Sequence, residues 1–246
     1  MQRFEAGGWW LPDGEEHLQQ WMNTVNHRET GPGHGLGPGL RDETRLTYQY
    51  HKYSAALPFV KQRRLAVDVG AHVGLWSWVM ARDFQRLEAF EPVVAHRDCW
   101  ELNLQGQANA QLRPFALGES DGNVRVRSRT PGSSGDTGVD PVAERSSLRA
   151  SVDSAGEKAL LRRLDYFQLE EVDFIKIDCE GYELFVLRGA IDTLRRNKPC
   201  LIVEQKPETG MEERYGVTAL DCIGFLAALG AKKRLCIQGD YIFSWD

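Results

Sequence analysis

The sequence predicts an α/β protein with a mostly parallel, seven-stranded sheet whose last strand runs antiparallel, and three observations lead to this prediction. Short apolar segments at 65–69, 172–178 and 200–204 are each followed by a segment with the apolar spacing of a helix. The first of these segments ends in a glycine turn, which is typical of a parallel strand that leads into a helix. A turn at 239–240 between two apolar segments predicts a closing hairpin.

The first 60 residues are expected to form an extension with many aromatic residues and no strand pattern. A glycine- and proline-rich stretch at 31–39 predicts a loop, preceded by a helix that Asp13 could cap and that ends near Met22. A second helix is expected at 43–60. We interpret the aromatic residues as packing groups first, with a lid or a dimer surface as alternatives.

Between the glycine turn and the second half of the chain, the pattern predicts two further strands of the sheet, one at 86–91 that ends in the acid Glu91 and one at 111–117. Pro92 stands where a first helical residue would, and the helix it opens could place four apolar residues on the sheet: Val94, Cys99, Trp100 and Leu104. Alternation at 124–127 predicts an exposed antiparallel strand. Residues 128–156 lack periodicity and predict a long mobile excursion of the kind that often serves as a lid.

The second half of the chain predicts two long helices. One helix follows the strand at 172–178 and carries five apolar residues on its sheet face: Leu184, Phe185, Leu187, Ile191 and Leu194. Thr218 and Asp221 have the spacing of a capping box for the other helix, which should end at Gly230.

The glycine turn carries the first indication of chemistry. Gly70 and Gly74 allow close approach of backbone to a ligand. Glu91 follows Gly70 by about 20 residues, the spacing at which dinucleotide-binding proteins have an acid that binds the ribose hydroxyls. The middle glycine of a dinucleotide fingerprint is missing, and Asp68 stands just before the turn. A carboxylate there suits a cationic ligand better than a pyrophosphate, although an ordinary βαβ unit with an empty turn remains an alternative.

Composition excludes several classes of protein. The net charge of −5 and the scattered lysines and arginines argue against a nucleic-acid partner. The five cysteines show no C-x-x-C spacing, so reduced thiols in a cytoplasmic protein are expected rather than disulfides or a zinc site. No apolar run reaches the length of a signal peptide core or a membrane span, and no membrane partner is expected.

The layout is that of class I S-adenosylmethionine-dependent methyltransferases, which have a Rossmann-like fold, and the chain resembles the FkbM-type members of that group. The resemblance rests on five segments: VDVGAHVG at 67–74, AFEP at 89–92, FALGESDG at 115–122, RRLDYFQLEEVDFIKIDCEGYELFVLRGA at 162–190, and LIVEQKP at 201–207. Two features depart from the family pattern, since His72 stands where asparagine is common and the region at 128–160 matches only loosely.

The resemblance implies a division of the chain and a set of site residues. Residues 1–60 would be the extension and 61–246 the methyltransferase domain, with a variable substrate-side excursion at 123–160. The methionine part of S-adenosyl-L-methionine would be surrounded by Asp68, Gly70, Ala71, His72 and Gly74. Glu91, with the adjoining Pro92, would bind the ribose, and Phe115, Ala116 and Leu117 would frame the adenine. Asp178 would lie beside the cofactor and act with Glu180 as the acid/base pair.

The acceptor that the resemblance implies is a hydroxyl group of a sugar or a glycosylated metabolite, reached by O-methylation. The segment that begins at Asp178 supports a hydroxyl, because it lacks the Asp/Asn-Pro-Pro-aromatic turn with which many enzymes methylate the amino group of a base. The expected partners are therefore a small-molecule or glycan hydroxyl acceptor and no nucleic acid, and the chain could form a homodimer.

Several alternatives stay open at this stage. Glu180 could instead stabilise the positive end of the helix that begins at Gly181, and Glu204 could join Asp178 in holding a divalent metal ion. His72 is expected to be a solvated turn residue rather than a proton-transfer group. The domain could also bind a cofactor or a partner without turnover, or, on a less favoured interpretation, bind a nicotinamide dinucleotide for an oxidoreductase reaction.

Overall fold

The computed structural model describes residues 1–4, 8–26, 48–140, 156–206 and 210–245. Within these ranges the strands are β1 (Gln2–Phe4), β2 (Trp9–Leu11), β3 (Leu65–Val69), β4 (Arg86–Phe90), β5 (Ala110–Arg113), β6 (Phe115–Leu117), β7 (Gly122–Ser128), β8 (Thr137–Asp140), β9 (Glu157–Arg162), β10 (Val172–Ile177), β11 (Cys200–Glu204), β12 (Lys232–Ile237) and β13 (Asp240–Ser244). The α-helices are α1 (His17–Asn26), α2 (Tyr50–Ala56), α3 (Leu75–Asp83), α4 (Val94–Asn103), α5 (Glu183–Arg188), α6 (Ile191–Asn197), α7 (Met211–Tyr215) and α8 (Ala219–Ala228). Short 3₁₀ turns lie at Leu57–Phe59 and Leu164–Phe167.

The central sheet has, among the described residues, the strand order β12-β13-β11-β10-β3-β4-β5. Strands β11, β10, β3, β4 and β5 are parallel, whereas β13 runs antiparallel to both of its neighbours. The α/β fold and the antiparallel last strand are therefore confirmed. Ligands of such sheets bind outside the carboxyl ends of the strands, here at the ends of β3, β4 and β10.

Two apolar layers cover the two faces of the sheet. On one face α1, α2, α3 and α4 pack with β2 around large buried rings such as Trp9, Tyr53 and Trp76. On the other face the buried residues of α5, α6 and α8 pack against the sheet. The expectation that the N-terminal aromatic residues are packing groups agrees with this arrangement, since Trp9 and Tyr53 are almost fully buried.

A second sheet of order β6-β9-β7-β8 lies beside the carboxyl edge and corrects the predicted strand at 111–117. That segment is two strands, because Pro114 between β5 and β6 lacks the N–H that a continuous ladder would need. β7 is antiparallel to β8 and β9, as the alternation at 124–127 predicted. β8 lies within the excursion for which no periodicity was found, whereas 141–155 falls outside the described residues.

The N-terminal extension also differs from expectation. β1 and β2 pair in an antiparallel ladder where no strand was predicted, because three-residue strands are too short to leave a periodic signal. α1 begins at His17 and extends beyond Met22, and Asp13 pairs with the N-terminal amine instead of capping it. The second helix is confined to Tyr50–Ala56 within the described part of the predicted range, while 43–47 and the loop at 31–39 lie outside it.

The helices in the second half of the chain differ from expectation in two respects. The single helix expected after β10 is divided into α5 and α6 at Gly189, where a Cβ would lie 1.9 Å from the Gly118 carbonyl oxygen. Asp165 caps the new start, accepting hydrogen bonds from the N–H groups of Asp192 and Thr193. The Thr218–Asp221 capping box is present, with α8 ending at Ala228, before Gly230.

α4 begins at Val94 rather than at Pro92. The side chain of Val94 is exposed, whereas Cys99, Trp100 and Leu104 are buried as predicted.

Candidate active site

The glycine turn joins the carboxyl ends of three strands. The N–H groups of Gly70 and Ala71 both donate to the Phe90 carbonyl at the end of β4, each at 3.1 Å. Gly70 has φ +75°, and a Cβ at this position would lie 1.9 Å from the Asp178 carbonyl oxygen after β10. Glycine is thus required here both by the left-handed backbone and by the close approach of the Asp178 peptide.

A first cavity opens beside this turn. Nine of the predicted site residues line it: Gly70, His72, Glu91, Pro92, Phe115, Ala116, Leu117, Asp178 and Glu180. The roof is formed by β8 and the turn before it, through Ser134, Gly135, Thr137 and Val139.

Glu91 is the most completely held of the predicted cofactor ligands. Its carboxylate accepts hydrogen bonds from the N–H groups of His72 at 2.8 Å and Val93 at 2.9 Å, and lies 3.1 Å from Nδ1 of His96. Burial opposes ionisation, but the adjoining His96 and the hydrogen bonds outweigh it and hold the pKa of Glu91 below its usual range. Glu91 is therefore an ionised, oriented acceptor that faces the first cavity.

Three of the predicted cofactor residues lie elsewhere. Ala71 lines a second cavity described below. Gly74 packs against the side chains of Trp100 and Leu104, so its role in the structure is to let α3 and α4 approach. Asp68 is fully buried behind the turn and lines neither cavity.

Asp68 was expected to bind a cationic ligand, but in the structure its cationic partner is Lys176. Its Nζ lies 3.5 Å from Asp68 and 3.4 Å from Asp178, and donates a hydrogen bond of 3.0 Å to the Gly70 carbonyl. Burial raises the pKa of Asp68, while Lys176 and the Ser77 hydroxyl, which donates at 2.6 Å, oppose that rise. Sequence reasoning missed Lys176, although a lysine inside the apolar strand β10 was the signal for a buried ion pair.

A cluster of three carboxylates lies at the carboxyl ends of β10 and β11. Asp178, Glu180 and Glu204 each offer an oxygen, and these oxygens all lie within 4.8 Å of one another. Each carboxylate already has a cationic partner in the chain. Lys176 lies beside Asp178, Arg129 contacts Glu180 at 2.5 Å, and Lys206 pairs with Glu204.

The members of this cluster differ in protonation. Burial opposes ionisation of Asp178, but the Lys176 ammonium outweighs it and lowers the pKa of Asp178 to about 2. Burial, together with the negative charge of Asp178, raises the pKa of Glu180 to about 8 and that of Glu204 to about 10. Carboxyl groups whose environments push their pKa values apart in this way are typical of acid/base sites.

Glu180 has a left-handed backbone, with φ +56°, which separates it from the helix that follows. The Arg214 guanidinium donates to the Glu180 carbonyl at 3.0 Å and holds this turn. The helix that was expected to begin at Gly181 begins at Glu183 instead, and it is the Glu183 carboxylate that accepts from the N–H groups of Cys179 and Gly181. Glu180 lines both the first cavity and a second one described below.

A second, larger cavity adjoins the first. It is lined from the N-terminal extension by His17, Leu18, Tyr48 and Gln49, and from the rest of the chain by residues that include Trp76, Lys176, Glu204 and Lys206. Both cavities are lined by Gly70, His72, Gly135, Asp178 and Glu180, which we call the shared wall. The predicted acid/base pair thus stands between the two cavities.

His72, expected to be a solvated turn residue, is half-buried and held on both sides of its ring. Nε2 lies 2.7 Å from the Ser134 hydroxyl, and the ring packs edge-on against His96 at 4.4 Å between centroids. Burial, with the nearby His96, lowers the pKa of His72 to about 3, so the ring is neutral at physiological pH. Ser134 was not identified from the sequence because it lies in the segment without periodicity.

The sequence model of one protein family, described as the methyltransferase FkbM domain, matches residues 68–231. Among curated proteins the chain is 28% identical over 230 residues to the AMB antimetabolite synthetase AmbE of Pseudomonas aeruginosa, an alignment that covers 76% of this chain and 10% of that protein. The chain thus spans about a tenth of the length of that relative.

Two methyltransferases are among the solved structures that the chain matches. Methyltransferase FkbM from Methylobacillus flagellatus is 17% identical, with a TM-score of 0.47, covering 75% of this chain and 44% of that one. The precorrin-6y C5,15-methyltransferase of Geobacter metallireducens is 12% identical, with a TM-score of 0.48, covering 82% of this chain and 90% of that one. In the described ranges, no helix combines the length and the apolar character needed to cross a bilayer.

Proposed function

Because the chain belongs to the FkbM methyltransferase family, we propose that it transfers the methyl group of S-adenosylmethionine to a hydroxyl group of a sugar or a glycosylated metabolite. The observation that carries this proposal is the shared wall. One cavity presents an ionised acid to a ribose, the other is open to an acceptor, and Asp178 and Glu180 stand between them. A methyl group transferred between the two ligands would cross that wall.

The first cavity suits S-adenosylmethionine in three respects. The Glu91 carboxylate is ionised and directed to the cavity, as a ribose diol requires. Phe115, Ala116 and Leu117 offer an apolar wall for the adenine. The methionine part would extend along Gly70 and His72 toward Asp178, whose negative charge favours a sulfonium.

Asp68 and Gly74 enter the proposal as supporting residues. Asp68 would act on the cofactor through Lys176, whose ammonium lines the second cavity and could meet the carboxylate of the methionine part. Gly74 would set the position of α3 and of the turn before it.

Bound S-adenosylmethionine supplies a methyl group on a sulfonium, which is a reactive electrophile toward a hydroxyl oxygen. Glu180 would take the proton of the acceptor hydroxyl as its oxygen is methylated, which would leave a methyl ether, S-adenosylhomocysteine and protonated Glu180. A carboxylate with a pKa of about 8 is a far better base than an ordinary glutamate. Asp178 stays ionised and orients the cofactor.

The second cavity is the proposed acceptor site. Tyr48 and Trp76 offer ring faces, while Gln49, Asp136 and other polar side chains around them offer hydrogen-bonding groups. This combination is suited to a polyhydroxylated ring. The match to an antimetabolite synthetase is consistent with a small-molecule acceptor.

The acceptor site also gives the proposed division of the chain a purpose. Residues 1–60 would form the extension, whose described part borders the second cavity. Residues 61–246 would form the methyltransferase domain, and the described part of its excursion at 123–160 borders the first cavity.

We propose that the reaction needs no divalent metal. The three carboxylates that could hold one are already balanced by Lys176, Lys206 and Arg129, so a cation would have to displace these side chains. Dialysis against EDTA should leave the rate unchanged, and a rate that falls and returns with Mg²⁺ would contradict this proposal.

The test of the proposed function is transfer of a labelled methyl group. The protein is incubated with methyl-labelled S-adenosylmethionine and a panel of hydroxylated glycans and glycosylated metabolites, and the labelled product is analysed for a methyl ether. Glu180→Gln, which keeps the side-chain size, is the matched control and should lose the label. Label recovered on an amine or on carbon would contradict the hydroxyl acceptor.

A further inference from the structure

Glu15 is a buried carboxylate in the N-terminal extension, outside the range of the family model. Only 1% of its surface is exposed, although both Gly14 and Glu16 beside it are exposed. Both of its oxygens accept backbone hydrogen bonds, Oε1 from the N–H of Leu18 at 2.7 Å and Oε2 from the N–H of Ser134 at 2.6 Å. The Ser134 hydroxyl donates to the same Oε2.

These bonds attach the extension to the turn between β7 and β8, residues 129–136, which we call the hairpin tip. The N–H groups of Glu16 and His17 add hydrogen bonds of 2.8 and 3.0 Å to the Gly132 carbonyl. Ser134 and Gly135 of the hairpin tip line the first cavity. The start of α1 therefore holds part of the roof of the proposed cofactor site.

The Glu15 contact also determines how His72 is protonated. The Ser134 hydroxyl has one proton and gives it to Glu15, so in its 2.7 Å contact with His72 it can only accept. The proton of the neutral His72 ring must accordingly lie on Nε2, directed at Ser134.

His72 in turn holds the proposed ribose ligand. The backbone N–H of His72 donates to Oε2 of Glu91. The His72 ring packs on His96, whose Nδ1 lies 3.1 Å from Oε1 of the same carboxylate. A continuous series of contacts thus runs from Glu15 through Ser134 and His72 to Glu91.

We propose that Glu15 is a positioning residue for cofactor binding, which holds the hairpin tip over the first cavity and, through Ser134 and His72, fixes the orientation of Glu91. This inference rests on the proposed function, because it assigns the first cavity to S-adenosylmethionine. It adds a part of the N-terminal extension to the cofactor site.

Glu15→Gln is the decisive variant. A glutamine keeps the size of the side chain but has one oxygen, so it can accept from Leu18 or from Ser134 and must turn its NH₂ group toward the other N–H. Glu16→Gln is the matched control, because it makes the same chemical change at the next residue, which is exposed and meets the tip through its backbone N–H.

Calorimetric titration with S-adenosylhomocysteine measures the effect. We expect Glu15→Gln to weaken binding by about tenfold, the loss typical of one hydrogen bond to a charged group, and Glu16→Gln to bind like the wild type. Ser134→Ala keeps the Ser134 N–H bond and should weaken binding in the same direction by a smaller factor. Thermal melts confirm that each variant is folded. A folded Glu15→Gln protein that binds as tightly as the wild type would overturn the proposal.

Nitrogen-15 spectra of the histidine rings give a second readout that needs no cofactor. We expect the wild-type His72 to carry its proton on Nε2, and its ring signals to shift in Glu15→Gln but not in Glu16→Gln. A proton on Nδ1 of wild-type His72 would overturn the proposal. A wild-type protein that shows the expected ring signals and binds no S-adenosylhomocysteine would instead contradict the proposed function.

Discussion

Replacing Lys176 with methionine removes the ammonium group between two carboxylates while keeping an unbranched side chain in β10. The Lys176 side chain is 6% exposed, and its Nζ lies 3.5 Å from fully buried Asp68 and 3.4 Å from Asp178. Each attraction amounts to about 5 kcal/mol at an effective dielectric constant of roughly 20, before the desolvation of the charges is subtracted. Breaking a buried ion pair from one side costs about 3–5 kcal/mol, and we expect Lys176→Met to lower the free energy of unfolding by that amount.

Urea denaturation followed by circular dichroism measures this change. Lys158→Met is the control, since Lys158 is exposed on β9, and it should stay within about 0.5 kcal/mol of the wild type. Adding Asp68→Asn to Lys176→Met removes one of the two stranded charges and keeps an acceptor for Ser77, so the double variant should regain part of the loss. A Lys176→Met protein within 1 kcal/mol of the wild type, or a double variant less stable than Lys176→Met, would refute the reasoning.

Three further predictions concern the cavities. Glu91→Ala should weaken S-adenosylhomocysteine binding in calorimetry by about tenfold or more, because it removes an oriented charged acceptor; unchanged affinity would exclude Glu91 as the ribose ligand. Glu180 must be deprotonated to act as the base, so kcat should rise with pH through about 8 and stay constant above it, and this rise should be absent in Glu180→Gln. Asp178→Ala should lower kcat more than it weakens cofactor binding. Gly70→Ala would place a methyl group 1.9 Å from the Asp178 carbonyl oxygen, so it should reduce both the melting temperature and cofactor affinity, and a variant that melts and binds like the wild type would contradict the account of the turn.

Much of the fold follows from local sequence signals. The apolar segment at Leu65–Val69, the glycine turn after it and the Thr218–Asp221 capping box each act over a few residues, and each appears in the structure as the pattern indicates. The division at Pro114 could have been predicted from the sequence, since proline cannot donate to a ladder. The break at Gly189 could not have been predicted, because it depends on the distant Gly118 carbonyl.

The candidate site depends even more on contacts between residues that are distant in the sequence. Glu91 and Asp178 were found because they stand at strand ends next to recognisable motifs. Arg129, Ser134 and Glu15 reach the site from segments without periodicity, and their importance lies in pairings across 51 to 119 residues of chain. Pairings of that kind leave no local pattern, so they appear only once the hairpin tip is seen against the glycine turn.

The central claim is that a methyl group passes from the first cavity to the second across the shared wall, and a crystal structure with S-adenosylhomocysteine tests it most directly. We predict that the ribose hydroxyls contact Glu91, that the adenine lies against Phe115–Leu117, and that the sulfur reaches the shared wall beside Asp178 and Glu180. A ligand bound away from Glu91, or one whose sulfur points away from the second cavity, would contradict the claim.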